Sequence, residues 1–138
     1  MEQWIIDFTL ITILLICIIS IIANTIIIIK NKVRKTAYFF LILSIIVSIT
    51  DILYASSHSI YYKYNDWAIL TSNISMVREK YGEFDYGNID KNKSGTVGYY
   101  IYTDNSPIMP DHLRHYYYMK YDNWGVIYEV YESCEVGG

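Results

Sequence analysis

Three side chains that commonly bind zinc lie close together in the stretch "DHLRH", at Asp111, His112 and His115. A spacing of three residues places both imidazoles on the same side of a helical turn, and imidazole and carboxylate groups are frequent zinc ligands. The stretch contains no third histidine and no cysteine, and the charge of Arg114 opposes a bound cation. We therefore expect an exposed polar loop here, with a zinc site or a metal-dependent hydrolase centre as the alternative.

A pattern of oxygen ligands suitable for calcium begins at Asp90 and reads "DKNKSGTV". Calcium loops of the EF-hand kind place oxygen ligands at positions one, three and five and glycine at position six. Asp90, Asn92, Ser94 and Gly95 occupy these positions, but the twelfth, where such loops carry a bidentate glutamate, is Ile101. Two lysines inside the loop also repel a cation. The sequence favours a polar turn before a strand, with calcium binding as the alternative.

Tyrosine is the most distinctive component of the chain, which carries 16 Tyr and 3 Trp. Its side chain offers a large, rigid contact area with a polar tip, which suits recognition surfaces, although tyrosine also packs well within sheets. Since a small core cannot hold every tyrosine of clusters such as "GYYIY" and "HYYYMKY", we expect part of them to form an exposed binding surface. The candidate residues of this surface are Tyr99, Tyr102, Tyr116, Tyr118 and Trp124.

The chain divides into a predicted membrane part and a predicted aqueous part. Up to Leu53 the chain is mostly Ile, Leu and Val, in two long apolar runs. The first run has no charge and predicts a transmembrane helix over 8–29, about 33 Å long against a hydrocarbon core of about 30 Å. The second predicts a transmembrane helix over 37–55. Because backbone groups in lipid must be satisfied internally, helix is favoured despite the many isoleucines.

Among the polar residues that interrupt these predicted spans, Asn24 and Asp51 are the candidates for a role in binding. Asn24 is expected to hydrogen-bond to a neighbouring helix. Asp51 is expected in the last turn of the second span, where it reaches the headgroups, because a carboxylate at the bilayer centre costs about 3 kcal/mol. The alternative is that Asp51 pairs with another protein within the membrane.

The basic stretch "KNKVRK" between the two runs predicts the orientation of the chain. It carries Lys30, Lys32, Arg34 and Lys35, and basic residues that flank membrane spans stay on the cytoplasmic side. This predicts an external arm over 1–7, a cytoplasmic loop over 30–36 and an extracytoplasmic tyrosine-rich domain over 56–138. The protein is then a multi-pass cell-membrane protein with both its N-terminus and its C-terminal domain outside.

The aqueous part is expected to combine a helix with a sheet. Apolar residues at spacings of three and four predict one amphipathic helix from Trp67 to Tyr81, with Asn65 or Asp66 as its N-cap and Gly82 as its stop. Alternatively, the second membrane helix continues as one long stalk. The stretches "VGYYIYT", "HYYYMKY" and "VIYEVYE" are typical of strands. The fold class is thus a membrane-anchored α+β protein, a transmembrane hairpin followed by one helix and a three- or four-stranded antiparallel sheet.

The charge balance and the absence of common catalytic motifs argue against several classes of function. From Asp51 onward twelve acidic residues accompany seven basic ones, which argues against nucleic-acid binding. The sequence has no P-loop, dinucleotide fingerprint or nucleophile elbow, and Cys134 is expected to be a free thiol or an intermolecular cross-link. We expect no cofactor and no enzyme, but a small integral membrane protein whose outward domain binds a protein or cell-envelope partner. The alternatives are a membrane-tethered metal-dependent enzyme, a metal-binding sensor and a purely structural subunit.

Overall fold

A computed structural model describes residues 3–30, 35–90, 92–105 and 109–135 of the chain. The chain divides into two compact units, Met1–Ser57 and His58–Gly138. The first unit contains two helices, α1 (Gln3–Lys30) and α2 (Lys35–Ser57). Most of the predicted basic loop lies outside the described residues, and most of the predicted external arm belongs to α1. Both helices therefore extend beyond the predicted spans 8–29 and 37–55.

Helices α1 and α2 form a hairpin with an aliphatic exterior. They are 28 and 23 residues long and are long and apolar enough to cross a membrane, by length and composition alone. The buried residues among the described ones are small, namely Cys17, Ala37, Ser44 and Ser57. Ser44 donates a hydrogen bond to Ser20 across the two helices at 2.8 Å. Small side chains at the contact let two helix backbones approach closely.

The second unit begins with two short helices, α3 (Asp66–Ile69) and α4 (Ile74–Tyr81), where the sequence predicts one. Asn65 caps α3, as predicted, and Asn73 caps α4 through a 2.9 Å bond from the Ser75 N–H. The break between them arises because the Thr71 N–H donates to the Ile127 carbonyl at 2.8 Å and draws the chain to the sheet. The alternative of a continuous stalk is wrong, since α2 ends at Ser57.

Three antiparallel strands follow, β1 (Gly95–Thr103), β2 (Arg114–Tyr121) and β3 (Ile127–Cys134), in the order β1-β2-β3. The sheet is three-stranded, within the predicted range of three or four. Its helix-facing side carries alternate residues of β1 and β2 that are packed into the core with α3 and α4. The core consists of Tyr64, Ile69, Ile74, Val77, Val97, Tyr99, Tyr117, Met119, Tyr121 and Ile127.

Asp66 is a buried carboxylate that connects three parts of this unit. It accepts hydrogen bonds from the Tyr117 hydroxyl at 2.8 Å, the Ser59 hydroxyl at 2.8 Å and the Ile60 N–H at 3.2 Å. These donors satisfy a group whose burial would otherwise carry a large desolvation cost. Asp66 thereby fixes the segment before α3, the start of α3 and the middle strand to one another.

Candidate functional site

The side of the sheet opposite the helices is covered by tyrosine rings, and we call this surface the outer tyrosine face. Strand pairing places Tyr100 beside Tyr116, and Tyr118 between Gly98 and Tyr131. Side chains paired directly across an antiparallel sheet project to the same face. These positions alternate with the core residues of β1 and β2. The outer tyrosine face consists of Tyr86, Tyr100, Tyr116, Tyr118 and Tyr131.

The rings of the outer tyrosine face form one connected set. Tyr116 and Tyr118 are 5.6 Å apart between ring centroids, and Tyr118 stacks on Tyr131 at 5.5 Å. Tyr86 meets Tyr118 edge-on at 5.1 Å, and Tyr100 meets Tyr116 edge-on at 5.9 Å. Offset and edge-to-face contacts at such distances are favourable for aromatic pairs. The face is therefore a packed platform rather than a set of isolated side chains.

Tyr86 joins this platform through a backbone bridge to the edge of β1. The Tyr86 N–H donates to the Gly98 carbonyl at 3.0 Å, and the Gly98 N–H donates to the Tyr86 carbonyl at 2.9 Å. The Asp85 carboxylate also accepts from the Tyr100 N–H at 2.8 Å. Glycine is needed beneath the rings because a Cβ at position 98 would lie 2.9 Å from Cδ1 of Tyr118.

Exposure differs strongly among the tyrosines of the face. Tyr116 and Tyr118 are buried beneath their neighbours, whereas Tyr86 and Tyr100 are 41% and 43% exposed. Burial raises the pKa of Tyr118 to about 12, so its hydroxyl remains a neutral hydrogen-bond donor at physiological pH. The accessible part of the platform is thus an apolar ring surface with phenolic donors.

Charges of both signs surround the outer tyrosine face. Lys120 lies 4.9 Å from the Tyr131 ring centroid and forms a 2.9 Å ion pair with Glu129. A hydrogen bond with Tyr116 raises the pKa of Arg114. A mixed-charge rim around an aromatic centre is the usual anatomy of a protein-binding surface.

The structure separates the five aromatic residues predicted to bind a partner. Tyr116 and Tyr118 lie on the outer tyrosine face but are covered, and Tyr99 lies in the core, where its hydroxyl donates to the Gly82 carbonyl at 2.7 Å. Tyr102 and Trp124 are 43% and 77% exposed, in other parts of the unit. The three covered residues are therefore not accessible for direct contact.

Sequence reasoning missed Tyr86, Tyr100 and Tyr131. Strand alternation carries a signal for Tyr100, which has the same parity as Gly98 and pairs with Tyr116. Tyr86 has no such signal, because it lies in irregular chain and reaches the sheet only through its bridge to Gly98.

A second polar cluster surrounds His115, at the end of the sheet. The Tyr102 ring stacks on His115 with centroids 4.4 Å apart, and the Tyr102 hydroxyl donates to Glu132 at 3.0 Å. His115 Nδ1 lies 3.1 Å from the same Glu132 oxygen, and Nε2 lies 3.5 Å from Asp111. Burial and the bond to Glu132 raise the pKa of Tyr102 to about 12. Both imidazole nitrogens therefore face carboxylates within the protein.

The geometric premise of the zinc hypothesis is wrong. His115 lies in β2, whereas His112 precedes the strand with a positive φ of 57°, so the two imidazoles do not share a helical turn. His112 Nδ1 is 3.4 Å from Asn105 instead. Across residues 3–30, 35–90, 92–105 and 109–135, no group of three or more His, Cys, Asp or Glu is arranged to hold a metal ion. Zinc binding by Asp111, His112 and His115 remains only a sequence-based hypothesis.

The candidate calcium residues lie in the exposed turn before β1. The Asp90 carboxylate faces the ammonium group of Lys93 at 3.6 Å, and the Asp90 N–H donates to the Tyr121 hydroxyl at 3.2 Å. Asn92 and Ser94 are exposed. The turn that the sequence favours at this position is present, and calcium binding stays an untested alternative.

The two polar residues predicted to lie within the membrane differ from expectation, Asn24 in its hydrogen-bond partner and Asp51 in its place along the helix. Asn24 donates to the Ser20 carbonyl at 2.8 Å and to the Ser20 hydroxyl at 3.2 Å, within its own helix. The bond to the neighbouring helix is made by Ser20 itself, through Ser44. Asp51 is not in the last turn, since α2 continues to Ser57.

The buried tyrosines predict a sharp loss of stability at alkaline pH. Burial raises the pKa of Tyr64 and Tyr117 above the ordinary value and that of Tyr99 to about 12. Since the folded state binds these protons more tightly, their stabilising contribution is complete below pH 10.0 and is lost as the pH rises through about 12. In detergent micelles, the part of the tyrosinate absorbance that comes from these buried side chains should therefore appear together with the loss of near-ultraviolet dichroism, in one cooperative transition. Buried tyrosines that ionise while the dichroism is retained would contradict this prediction.

Comparison of the chain with known proteins finds no matching protein family, no similar sequence among curated proteins and no similar solved structure. The architecture defines a class, a long apolar helical hairpin followed by an α+β unit with a three-stranded antiparallel sheet.

Proposed function

We propose that this chain is a small integral membrane protein whose outward domain binds a partner protein through the outer tyrosine face. The observation that carries the proposal is the connected layer of tyrosine rings on the side of the sheet away from α3 and α4. Tyr86 and Tyr100 present 41% and 43% of their surface there. An accessory subunit of a membrane complex is one form that such a protein takes.

The membrane anchoring is supported by how little of the hairpin is buried. Only 6% and 11% of the most apolar windows of α1 and α2 are buried, whereas a core helix of a soluble protein is mostly buried. Exposed side chains of the hairpin include Phe8, Ile19, Ile29 and Phe39. Such extended apolar surface needs lipid or protein around it. The basic stretch "KNKVRK" supports a cytoplasmic loop and an outward domain.

A protein partner fits the outer tyrosine face better than nucleic acid. Tyrosine and arginine are enriched at the centres of protein interfaces, and Arg114 bonds to Tyr116 at the rim. The Lys120–Glu129 ion pair gives this rim both signs of charge. A phosphate backbone would instead require a basic face, while the chain has a formal net charge of −3.

Cysteine accessibility tests both the location and the partner. In a chain with Cys17→Ser and Cys134→Ser, Glu129→Cys places a thiol beside the outer tyrosine face. Glu79→Cys is the matched control, an exposed glutamate on α4 at the opposite side of the sheet. In intact cells, a membrane-impermeant maleimide is expected to label position 79 as fast as in purified protein. At position 129 the reaction in intact cells is expected to be at least about tenfold slower than in purified protein, because a bound partner covers the thiol.

Adding Tyr86→Ser and Tyr100→Ser should restore fast labelling at position 129, because the accessible rings that anchor the partner are gone. Equal labelling rates in cells and in purified protein at both positions would contradict the binding proposal. Labelling of neither position until the cells are lysed would place the domain in the cytoplasm and contradict the proposed location.

A further inference from the structure

The polar side chains of α1 and α2 make hydrogen bonds, with one exception. This holds for the oxygen- and nitrogen-bearing side chains that lie more than one turn from a helix end. The threonine and serine hydroxyls on the outside donate to carbonyls of their own helix, at 2.7 Å for Thr9, 2.8 Å for Thr12 and 2.7 Å for Thr25. Thr50 and Ser48 do the same in α2 at 2.9 and 2.8 Å.

Hydrogen bonds are also made by Ser20, Asn24 and Ser44, and by the exposed Asp7. Asn24 bonds to Ser20, and Ser20 accepts from Ser44. Asp7 accepts from the Gln3 amide at 3.2 Å. In lipid every polar group needs such a partner, because water is absent. The hairpin meets this requirement at each of these positions.

Asp51 is the exception, since no hydrogen bond or ion pair to its carboxylate occurs within the part of the chain that the structure describes. It is half-buried and follows Ser44 by two helical turns, so it lies on the same stripe of α2 as the contact with α1. Six residues of α2 follow it, which places it about 9 Å from the helix end. A carboxylate on a single methylene cannot extend over that distance in the way that lysine and arginine do.

Within the part of the hairpin that the structure describes, no cation lies near enough to neutralise Asp51. Among its described residues the basic ones are Lys30 and Lys35, at the other end of the hairpin. Lys35 precedes Asp51 by 16 positions along the helix, or about 24 Å. The last turn of α2 contains no basic residue. A second copy of the chain would bring only another carboxylate to this depth.

We propose that Asp51 is a docking site for a partner's transmembrane helix that carries a lysine or arginine at the same depth. The attraction between opposite charges is strong where water is scarce, and intramembrane acidic residues characteristically pair with other helices. The inference rests on the membrane anchoring argued under the proposed function. It is independent of the outer tyrosine face.

A synthetic helix tests the site without knowledge of the natural partner. The full-length chain is placed in phosphatidylcholine vesicles with a polyleucine transmembrane peptide that has one lysine six residues from its end, matching the six residues after Asp51. Association is measured by energy transfer between dyes on the chain and on the peptide. The chain is expected to bind this peptide at least about tenfold more tightly than the peptide with leucine in place of lysine.

The variant Asp51→Asn keeps the shape of the side chain and removes the charge, so the preference for the lysine peptide should disappear. The matched control is Asp7→Asn, an aspartate of α1 near the same end of the hairpin, and it should keep the preference. A preference that survives Asp51→Asn, or is lost equally in Asp7→Asn, would overturn the proposal. So would self-association of the chain that depends on Asp51 and is unaffected by the lysine peptide, since it would make a second copy the occupant.

Polarised infrared spectra of the same samples separate this inference from the proposed function. Helices that lie parallel to the bilayer would overturn the membrane anchoring and the docking site together. Helices that cross the bilayer without any preference for the lysine peptide would overturn the docking site alone.

Discussion

Replacing Asp66 by alanine is expected to lower the free energy of unfolding of the C-terminal unit by about 3–5 kcal/mol, because three donors lose a charged acceptor at once. The Tyr117 hydroxyl suffers most, since Tyr117 is fully buried and its bond to Asp66 is 2.8 Å long. Ser59 and the Ile60 N–H lose the same acceptor. The measurement is denaturant unfolding of the full-length chain in detergent micelles, followed by near-ultraviolet dichroism.

The matched control for this measurement is Asp90→Ala, which removes an exposed aspartate and one surface ion pair with Lys93. Exposed pairs contribute at most about 1 kcal/mol. Asp66→Asn, which retains an acceptor oxygen, should lie between the two alanine variants. Equal losses in Asp66→Ala and Asp90→Ala would show that the carboxylate does not hold the segment before α3 to β2.

Local signals were sufficient to predict the main elements. The uncharged apolar run 8–29 lies within α1, and "HYYYMKY" lies within β2. Gly82 ends α4 with a φ of 98°, a conformation that favours glycine. Each of these features is determined by residues that are close together in the sequence, so it can be predicted from the sequence alone.

Hydrogen bonds between distant parts of the chain explain where the sequence-based predictions of helix and strand were wrong. Apolar spacing continues from Trp67 to Tyr81, but the helix breaks because Thr71 and Ser72 pair with Ile127, far away in the chain. Trp67 is then exposed, and Ile69 takes the buried position. A register shift between Lys120 and Tyr121 has a similar effect on β3. Ile127 and Val130 both pack against the core, although strict alternation would put them on different faces of the sheet.

The candidate site was only partly predictable for the same reason. Alternation along β1 and β2 tells which tyrosines share a face, so Tyr116 and Tyr118 belong together. Alternation does not tell which face of the sheet the helices cover. Tyr99 and Tyr117 are in the core because they lie on the covered face. The space above Gly98 and the bridge that brings Tyr86 there become visible only once the strands are paired.

Tyr64 lies among four other tyrosine rings in the core, and its removal should lower the free energy of unfolding as much as that of Asp66. Tyr64 contacts the rings of Tyr61, Tyr81, Tyr99 and Tyr117, with centroids between 4.8 Å for Tyr117 and 5.8 Å for Tyr61. Such pairs contribute about 0.5–1.5 kcal/mol each beyond the area they bury. Tyr64→Ala is expected to cost about 3–5 kcal/mol, because it leaves a cavity between rings held by different elements.

Two further variants show whether the loss of stability comes from the Tyr64 ring, from its hydroxyl, or from the removal of any tyrosine. Tyr64→Phe keeps every ring contact and is expected to cost less than about 1.5 kcal/mol, since the volume is conserved. Tyr128→Ala removes an exposed tyrosine of β3 and should change stability by about 0.5 kcal/mol or less. If Tyr64→Ala lost no more stability than Tyr128→Ala, the aliphatic residues around Ile74 and Ile127 would hold the fold. In that case the tyrosines of the core would be free to vary, and only those of the outer face would require an explanation in terms of binding.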